Sequence, residues 1–291
     1  MKKAYIYAAI SILCWSTIAT VSKLLLGSLS SYQVLMCSAF FATGSLLVIN
    51  LITGRFKKLL GYRFKDIIIM VLIGLPGTFF YYVFLYSGTA RMAASQAFII
   101  NYLWPVMSVV FACILLKEKL TIKTVIALVL SFLGVLTVAG DRIFDFGSGS
   151  FLGVILCILA AVSYGLFTAL CEKWDYDYLV SMMVSFFVTF ILTASINAIT
   201  GTPISITLPQ MLGFAWNGIF VMAIATVTWA LALKNGDTAK ISNLAYITPF
   251  LSLVWTFFIL KEPIELMSVA GLGVIVLGIF VQLKGTKKTQ K

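Results

Sequence analysis

The sequence contains no histidine, and only 11% of its 291 residues are charged. Histidines and buried carboxylates are the usual acid–base groups of enzymes, and a serine or cysteine nucleophile needs a base beside it. Without histidine and with few carboxylates, the chain is poorly equipped for hydrolysis, acyl transfer or metal chemistry. We therefore expect that the protein is not an enzyme and that it holds no cofactor and no metal.

Cysteine is also scarce and follows no binding pattern. The five cysteines are an odd number, and no two of them are spaced as C-x-x-C. This spacing argues against a disulfide framework and against a metal site. We expect all five to be small packing residues within helices or at their ends.

Polar residues are too few to cover a soluble protein. Hydrophobic residues make up 61% of the chain, and the mean hydropathy is +1.06. A membrane-spanning helix needs ~20 mostly apolar residues. Ten such segments occur, at residues 4–26, 32–53, 66–88, 93–116, 122–140, 151–171, 179–200, 210–233, 238–260 and 266–283. The sequence thus predicts an all-α integral membrane protein with ten transmembrane helices, the first an uncleaved span rather than a secretory signal.

Basic residues are divided unequally between the two predicted sides of the membrane. If the N-terminus is cytoplasmic, 17 of the 21 lysines and arginines lie on the cytoplasmic side and 4 on the other. This is the positive-inside pattern, and it predicts that both termini lie in the cytoplasm. The net charge of +11 is then explained by topology and anionic lipid, and we expect no nucleic-acid partner.

The second half of the sequence repeats the first at an offset of 144 residues. Residues 102–138 and 246–282 are identical at eleven of 37 positions without a gap. The identities include Tyr102/Tyr246, Pro105/Pro249, Lys117-Glu118/Lys261-Glu262 and Gly134/Gly278. Unrelated apolar helices rarely share proline, Lys-Glu and glycine in register. We predict two five-helix repeats, residues 1–146 and 147–291.

An odd number of helices in each repeat gives the two repeats opposite orientations. Lys117-Glu118 is then expected at the inner end of the fourth span, and Lys261-Glu262 at the outer end of the ninth. Inverted repeats of this kind are typical of secondary transporters, whose substrate site lies near the midplane at the repeat interface.

Proline interrupts the fourth and ninth predicted spans at matching positions. Pro105 frees the carbonyl of Asn101, and Pro249 frees that of Ala245, because proline has no amide hydrogen. In hydrocarbon such groups persist only where they are buried in protein or line a cavity. The paired breaks therefore indicate a transport pathway; the alternative is a pair of structural kinks. The stretch Gly74-Leu75-Pro76-Gly77 in the third span is either a hinge or a close helix crossing.

These features resemble a known transporter family. INYLWP at 100–105, Trp15-Ser16-Thr17, the Tyr-x-x-Pro of the ninth span and the duplicated unit resemble the EamA family of the drug/metabolite transporter superfamily. NYLWP is most similar to the bacterial aromatic amino-acid exporters. The resemblance implies ten helices, cytoplasmic termini and alternating access around a central cavity, with efflux of amino acids or other small metabolites. Gln96 departs from the pattern, since relatives can carry an acid there, and this weakens any role of that position in proton coupling.

Aromatic and small polar side chains form the candidate substrate site. Aromatic rings at mid-membrane positions can pack against an indole or phenyl ring, and hydroxyl and amide groups can bind polar ends. The set is Trp15, Ser16, Thr17, Tyr82, Gln96, Asn101, Tyr102, Trp104, Trp229 and Tyr246, with Pro76, Pro105 and Pro249 as hinges. Tyr81 and Tyr164 are further mid-membrane aromatics, and Thr226, Thr228 and Thr248 further hydrogen-bonding candidates. The alternative for each is packing or hydrogen bonding between helices.

The placement of charge constrains what is carried. All ten acids lie at or near predicted helix ends, whereas proton relays use intramembrane carboxylates and histidines. This favours a facilitator or exchanger for a neutral or zwitterionic substrate. Lys23 is expected to snorkel to the lipid headgroups.

The predicted function is export of a small organic metabolite, above all an aromatic or other neutral amino acid. The alternatives are efflux of another metabolite or toxic compound by the same fold, with or without proton coupling, and a channel. The expected partners are the substrate and the bilayer, and the expected state is a monomer or weak homodimer.

Overall fold

A computed structural model describes residues 2–119, 121–140, 149–201, 203, 205–236, 241 and 244–283. Every regular element in these ranges is helical, and they contain no strand. The predicted repeat boundary at 146/147 and the start of the predicted span 238–260 lie outside the described residues.

Eleven helices are used below to place the site. They are α1 (Lys2–Leu26), α2 (Ser31–Ile52), α3 (Phe56–Gly61), α4 (Phe64–Thr89), α5 (Ala94–Leu115), α6 (Ile122–Ala139), α7 (Gly149–Lys173), α8 (Tyr178–Thr200), α9 (Leu208–Asn235), α10 (Ala245–Leu260) and α11 (Leu266–Leu283). The short helix α3 lies in a predicted loop.

Seven helices are long and apolar enough to cross a membrane, namely α1, α2, α4, α5, α7, α8 and α9. Three shorter apolar helices lie at Val125–Ala139, Ala245–Leu260 and Leu266–Val281. The prediction of a helical, multi-pass membrane protein is therefore confirmed. Length and composition support seven of the ten predicted spans.

Polar side chains cap the helices where the chain turns. Ser30 Oγ accepts the amide of Gln33 at 3.2 Å, and Gln33 Oε1 accepts the amide of Ser30 at 2.9 Å. Asp177 accepts the amide of Val180 at the start of α8. Each cap satisfies an amide that lacks a partner in the first helical turn.

Contacts between connections divide them between two faces of the bundle. Asp177 bonds to Arg55 at 2.8 Å and to Lys58 at 2.7 Å, which joins loops 53–63 and 174–177 on what we call the Asp177 face. Glu262 bonds to the start of α5, and Gln210 donates to Ser28 at 2.8 Å. We call the face with loops 27–30, 90–93 and 261–265 and with residues 201, 203 and 205–207 the Glu262 face.

Helices α6 and α11 pack against each other through reciprocal contacts. A Cβ added to Gly134 would lie 2.7 Å from the carbonyl oxygen of Gly271, and one added to Gly278 would lie 2.9 Å from that of Ala127. The two contacts are equivalent in the repeats, because Gly278 is the copy of Gly134 and Gly271 is the copy of Ala127 at the offset of 144 residues. Gly271 of α11 contacts Val138 of α6, and Gly278, later in α11, contacts Ala127, which comes earlier in α6. The two helices are therefore antiparallel.

The duplicated Lys-Glu pair also keeps its local conformation. Lys117 and Lys261 both have φ of 57°, and they are the non-glycine residues with positive φ in the described chain. A non-glycine residue rarely adopts this left-handed conformation. The shared geometry at matching positions supports the duplication seen in the sequence.

The stretch Gly74–Gly77 is a close helix crossing. A Cβ on Gly74 would lie 1.8 Å from Ser185 Oγ, and one on Gly77 would lie 2.3 Å from the ring of Phe167. Ser163 Oγ donates to the carbonyl of Pro76 at 2.8 Å, and residues Pro76–Phe80 form a π-helical turn. Glycine at both positions lets α4 approach α7 and α8.

Candidate functional site

A cavity of about 480 Å³ lies between α1, α4 and α5 on one side and α7 to α10 on the other. Ten aromatic residues line it, and none of its lining residues is charged. Its size falls in the range of sites for small molecules, ~300–1,000 Å³. Six of the predicted site residues lie on its wall, namely Trp15, Tyr82, Asn101, Tyr102, Trp104 and Trp229.

Aromatic rings form one connected wall of the cavity. The Tyr164 ring lies 5.1 Å from Trp104 at 83° and 4.8 Å from Tyr81 at 47°. Tyr81 packs edge-on against Tyr82 at 4.8 Å. We call these four residues the Tyr164 cluster. Two of the three contacts are edge-to-face, a preferred geometry for aromatic pairs, so the rings support one another along the wall.

A second aromatic pair lines another part of the cavity. The rings of Trp15 and Trp229 lie 5.2 Å apart at 57°. Trp15 comes from α1 and Trp229 from α9, so the first and second halves each supply one ring. Both residues were predicted for the site.

The two proline breaks meet at the cavity. α5 is interrupted at residues 102–103, and α10 begins with a short 3-10 turn at Ala245–Ile247. The hydroxyl of Tyr102 donates to the carbonyl of Ala245. This is the carbonyl that Pro249 leaves without its helical donor. The break in α5 therefore supplies a donor to the free carbonyl at the break in α10, and both breaks line the cavity.

Two polar atoms at the breaks have no hydrogen-bond partner among the described residues. Asn101 donates through Nδ2 to Tyr81 Oη at 3.1 Å, but its Oδ1 is unpaired. The Thr248 hydroxyl is also unpaired. Both residues line the cavity and are 2% exposed. A buried polar atom without a partner costs about 1–3 kcal/mol, so a hydrogen bond from a ligand to either atom would be favourable.

Ser16 and Thr17 hold tryptophans of the second half instead of lining the cavity. Trp255 Nε1 donates to Ser16 Oγ at 2.9 Å, and Trp216 Nε1 donates to Thr17 Oγ1 at 2.8 Å. Of the Trp15-Ser16-Thr17 triplet, only Trp15 is on the cavity wall. The two hydroxyls form hydrogen bonds between helices, which was the alternative to a place in the substrate site.

Gln96 and Tyr246 also lie away from the cavity wall. Gln96 Nε2 donates to Glu265 at 2.7 Å on the Glu262 face, and the ring of Tyr246 packs on Phe280 at 5.9 Å. Gln96 thus pairs with a carboxylate of the second half. Gln96, a predicted site residue, therefore does not line this cavity.

The expectation that Lys23 snorkels to lipid headgroups is wrong. Its amine turns back into the protein and donates to the carbonyls of Thr89 at 2.8 Å and Met92 at 2.7 Å. The Thr89 carbonyl ends α4 and has no donor in the helix, and the Met92 carbonyl lies in the connection that follows. A cation at this end of α4 is also favoured by the helix dipole.

The cavity extends toward the Asp177 face. Its lining includes Cys171 and Tyr178, which flank loop 174–177, and in the other direction it stops at Ile18 and Phe98. A second cavity of about 250 Å³ next to loop 174–177 shares Phe167, Cys171 and Tyr178 with the first. The two cavities together lead from the aromatic wall to the Asp177 face.

Nothing in the described chain resembles a metal centre, since it holds no group of three histidine, cysteine or acidic residues. The cavity offers rings, an amide oxygen and a hydroxyl. This chemistry suits binding of an uncharged or zwitterionic aromatic molecule.

Sequence comparisons find transporters along the full length of the chain. A protein of Clostridium kluyveri described as an uncharacterized transporter is 27% identical, over 99% of this chain and 95% of its own. A protein of Archaeoglobus fulgidus with the same description is 23% identical, over 98% and 99%. The aromatic amino acid exporter YddG of Ancylobacter novellus is 25% identical, over 62% of this chain and 63% of its own.

Structure and family comparisons cover the whole chain as well. A crystal structure with 20% sequence identity matches 100% of both chains with a TM-score of 0.69, which shows a shared fold. The model of the EamA-like transporter family matches residues 2–140 and 151–283. The chain therefore belongs to the EamA-like transporter family and carries two copies of its repeat.

Proposed function

We propose that this protein exports aromatic or other neutral amino acids through alternating access of the central cavity. The observation that carries the proposal is the cavity itself: an uncharged aromatic wall at two proline breaks, with unpaired polar atoms on Asn101 and Thr248. The likeness to an aromatic amino acid exporter agrees with it.

The proposed binding mode assigns each end of an amino acid to a different wall. The side-chain ring packs against the Tyr164 cluster. The ammonium group donates to Asn101 Oδ1, whose position is fixed because the amide nitrogen of Asn101 donates to Tyr81 Oη. The Thr248 hydroxyl donates to the carboxylate. Fixing both charged groups with neutral dipoles matches a zwitterion, whose net charge is zero.

The proposed transport is facilitative. No carboxylate lines the cavity, and Glu262 is engaged with the start of α5. Proton-coupled carriers use intramembrane acids or histidines. Transport direction is then set by the substrate gradient.

The proposed architecture has ten transmembrane helices in two inverted repeats, divided near 146/147. The antiparallel packing of α6 and α11 supports the inversion, because each helix ends one repeat. The division of connections between two faces fits it as well. The charge bias supports cytoplasmic termini in a bacterial inner membrane, with the Asp177 face inside.

Flux measurements in proteoliposomes test the function. A panel of labelled phenylalanine, tyrosine, tryptophan, leucine, lysine and glutamate is supplied with and without a pH gradient. We expect saturable flux and trans-stimulation for the aromatic and neutral members, unchanged by the gradient. Flux confined to lysine or glutamate would refute the binding mode, linear unsaturated flux would indicate a channel, and acceleration by the gradient would refute facilitation.

Apolar aromatic amines without a carboxylate test the alternative function, efflux of toxic compounds. The aromatic wall would also accept such amines.

A further inference from the structure

The carboxylate of Glu262 closes one side of the bundle by capping a helix of the other repeat. It accepts the amides of Ala94 at 2.8 Å and Ser95 at 3.0 Å, and the Ser95 hydroxyl at 2.8 Å. Hydrogen bonds to an ionised acceptor are about twice as strong as neutral ones. A carboxylate at a helix N-terminus also gains from the helix dipole.

Lys23 secures the other end of the same short connection. It binds the carbonyls of Thr89 and Met92, while Glu262 binds the amides that follow directly. The connection 90–93 is thus held by a cation from α1 and by an anion from loop 261–265. Both charged side chains bind backbone groups of α4, of the connection 90–93 or of α5. They therefore link these elements to α1 and to loop 261–265.

This charged seal lies just beyond the end of the cavity. Phe98 and Ile18 are the lining residues nearest to it in sequence. Ser95 precedes Phe98 by three residues, about 4.5 Å along a helix, and Lys23 follows Ile18 by five, about 7.5 Å. Opening the cavity toward the Glu262 face therefore requires the seal to move.

The duplicated residue on the opposite side is not engaged in the same way. Glu118 corresponds to Glu262 and follows a lysine with the same left-handed conformation. The Glu118 residue is exposed, whereas Glu262 is half-buried. The two copies of one motif thus differ in burial, as expected when one side of a transporter is closed.

We propose that Glu262 and Lys23 form the gate that closes the cavity on the Glu262 face. The gate opens when the carboxylate leaves the start of α5 and closes when it returns. This inference rests on the proposed transport function for its purpose, but it concerns access to the cavity and requires no particular substrate.

Access to the cavity is measured with a single thiol. The five native cysteines are replaced by alanine, and Ala230→Cys places a reporter on the cavity wall. A membrane-impermeant maleimide is added to the Glu262 face of oriented membranes without substrate. Labelling after denaturation in detergent gives the total reporter. We expect Glu262→Gln to raise the labelling rate about fivefold or more, because it removes charge-assisted hydrogen bonds worth at least about 1 kcal/mol.

The matched control is Glu118→Gln, which removes the same charge from the other copy of the motif and should leave this rate within twofold. Ser95→Ala removes one hydrogen bond without changing any charge and should give a smaller rise than Glu262→Gln; it also keeps the test valid if Glu262→Gln inserts poorly. Equal rates for Glu262→Gln, Ser95→Ala and Glu118→Gln would overturn the gate. Because no substrate is present, a failed flux panel would leave this result intact.

Discussion

At the scale of single residues, Asn101 carries more of the proposed chemistry than any other side chain on the cavity wall. Its Nδ2 is committed to Tyr81, so its orientation is set and its Oδ1 is left to accept. This amide lies at a helix break, where neighbouring backbone groups are also freed from the helix. A small change here should alter recognition without altering the aromatic wall.

We predict that Asn101→Ala lowers kcat/KM for aromatic amino-acid flux about tenfold or more. The reason is that a substrate ammonium group would enter the cavity without its acceptor, at a cost of about 1–3 kcal/mol. The measurement is initial flux of labelled phenylalanine in proteoliposomes, normalised to inserted protein. Asn197→Ala is the control, because Asn197 is also buried but donates to the carbonyl of Thr193 within α8 and does not line the cavity. Normal flux in Asn101→Ala would return this residue to a packing role.

Residues that touch the cavity were predictable where a motif marked them, or where an aromatic ring fell at a mid-membrane position, as for Tyr82 and Trp229. Trp15, Asn101 and Trp104 belong to motifs and do line it. Ser16 and Thr17 belong to a motif as well, yet their partners are Trp255 and Trp216, more than 190 residues away. Hydrogen bonds over such separations depend on the packing of helices, which no local pattern encodes. Tyr178 and Cys171 reach the cavity without any motif.

At the scale of elements, the cap of α8 also ties together two connections on the Asp177 face. The carboxylate of Asp177 contacts Arg55, Lys58 and the amide of Val180. Burial on its own would raise the pKa of this carboxyl. The hydrogen bonds from Lys58 and Val180 and the positive charges of Arg55 and Lys58 outweigh burial and hold the pKa below its ordinary value.

We predict that this tie stabilises the protein at neutral pH and is lost in acid. A carboxyl with a lowered folded-state pKa contributes fully above its unfolded pKa, ~3.9, and loses the contribution as pH falls through the folded value. Asp177→Asn should therefore lower Tm at pH 7 by a few degrees, and the difference from the unmodified protein should vanish as pH falls below about 4. Thermal unfolding in detergent measures it. Asp175→Asn, at an exposed position two residues away, is the control, and a pH-independent deficit in Asp177→Asn would contradict the explanation.

The ends of the helices were predicted closely by the hydrophobic segments of the sequence. Breaks within helices were predictable only where a proline occurs. The predicted span 32–53 corresponds to Ser31–Ile52, and 179–200 to Tyr178–Thr200. The π-helical segment Trp216–Ile224 has no sequence mark, because it contains no proline and Pro209 lies a full seven residues before it, at the start of α9. Its geometry is set by contact with α2, where Gly218 meets the backbone of Ser38.

At the scale of the whole molecule, duplication explains both the symmetry and its limits. The reciprocal contacts of α6 and α11 obey the 144-residue offset. The cavity does not, since Tyr102 binds the carbonyl of Ala245 whereas Tyr246, its copy, packs on Phe280. The α6–α11 pair keeps the symmetry, and we call this pair the seam.

We predict that a methyl group in this seam destabilises the whole bundle. Gly134→Ala would place Cβ 2.7 Å from the carbonyl oxygen of Gly271 and 2.5 Å from Ile275. The backbone oxygen cannot rotate away as a side chain can, so the helices must separate, at a cost of about 1–3 kcal/mol. Gly273→Ala, in α11 with nothing within 4 Å of the added Cβ, is the control and should be neutral or stabilising by up to about 1 kcal/mol, since alanine is the better helix former. Thermal unfolding of the two variants in the same detergent measures the difference, and equal Tm values would mean that α6 and α11 are not in close contact.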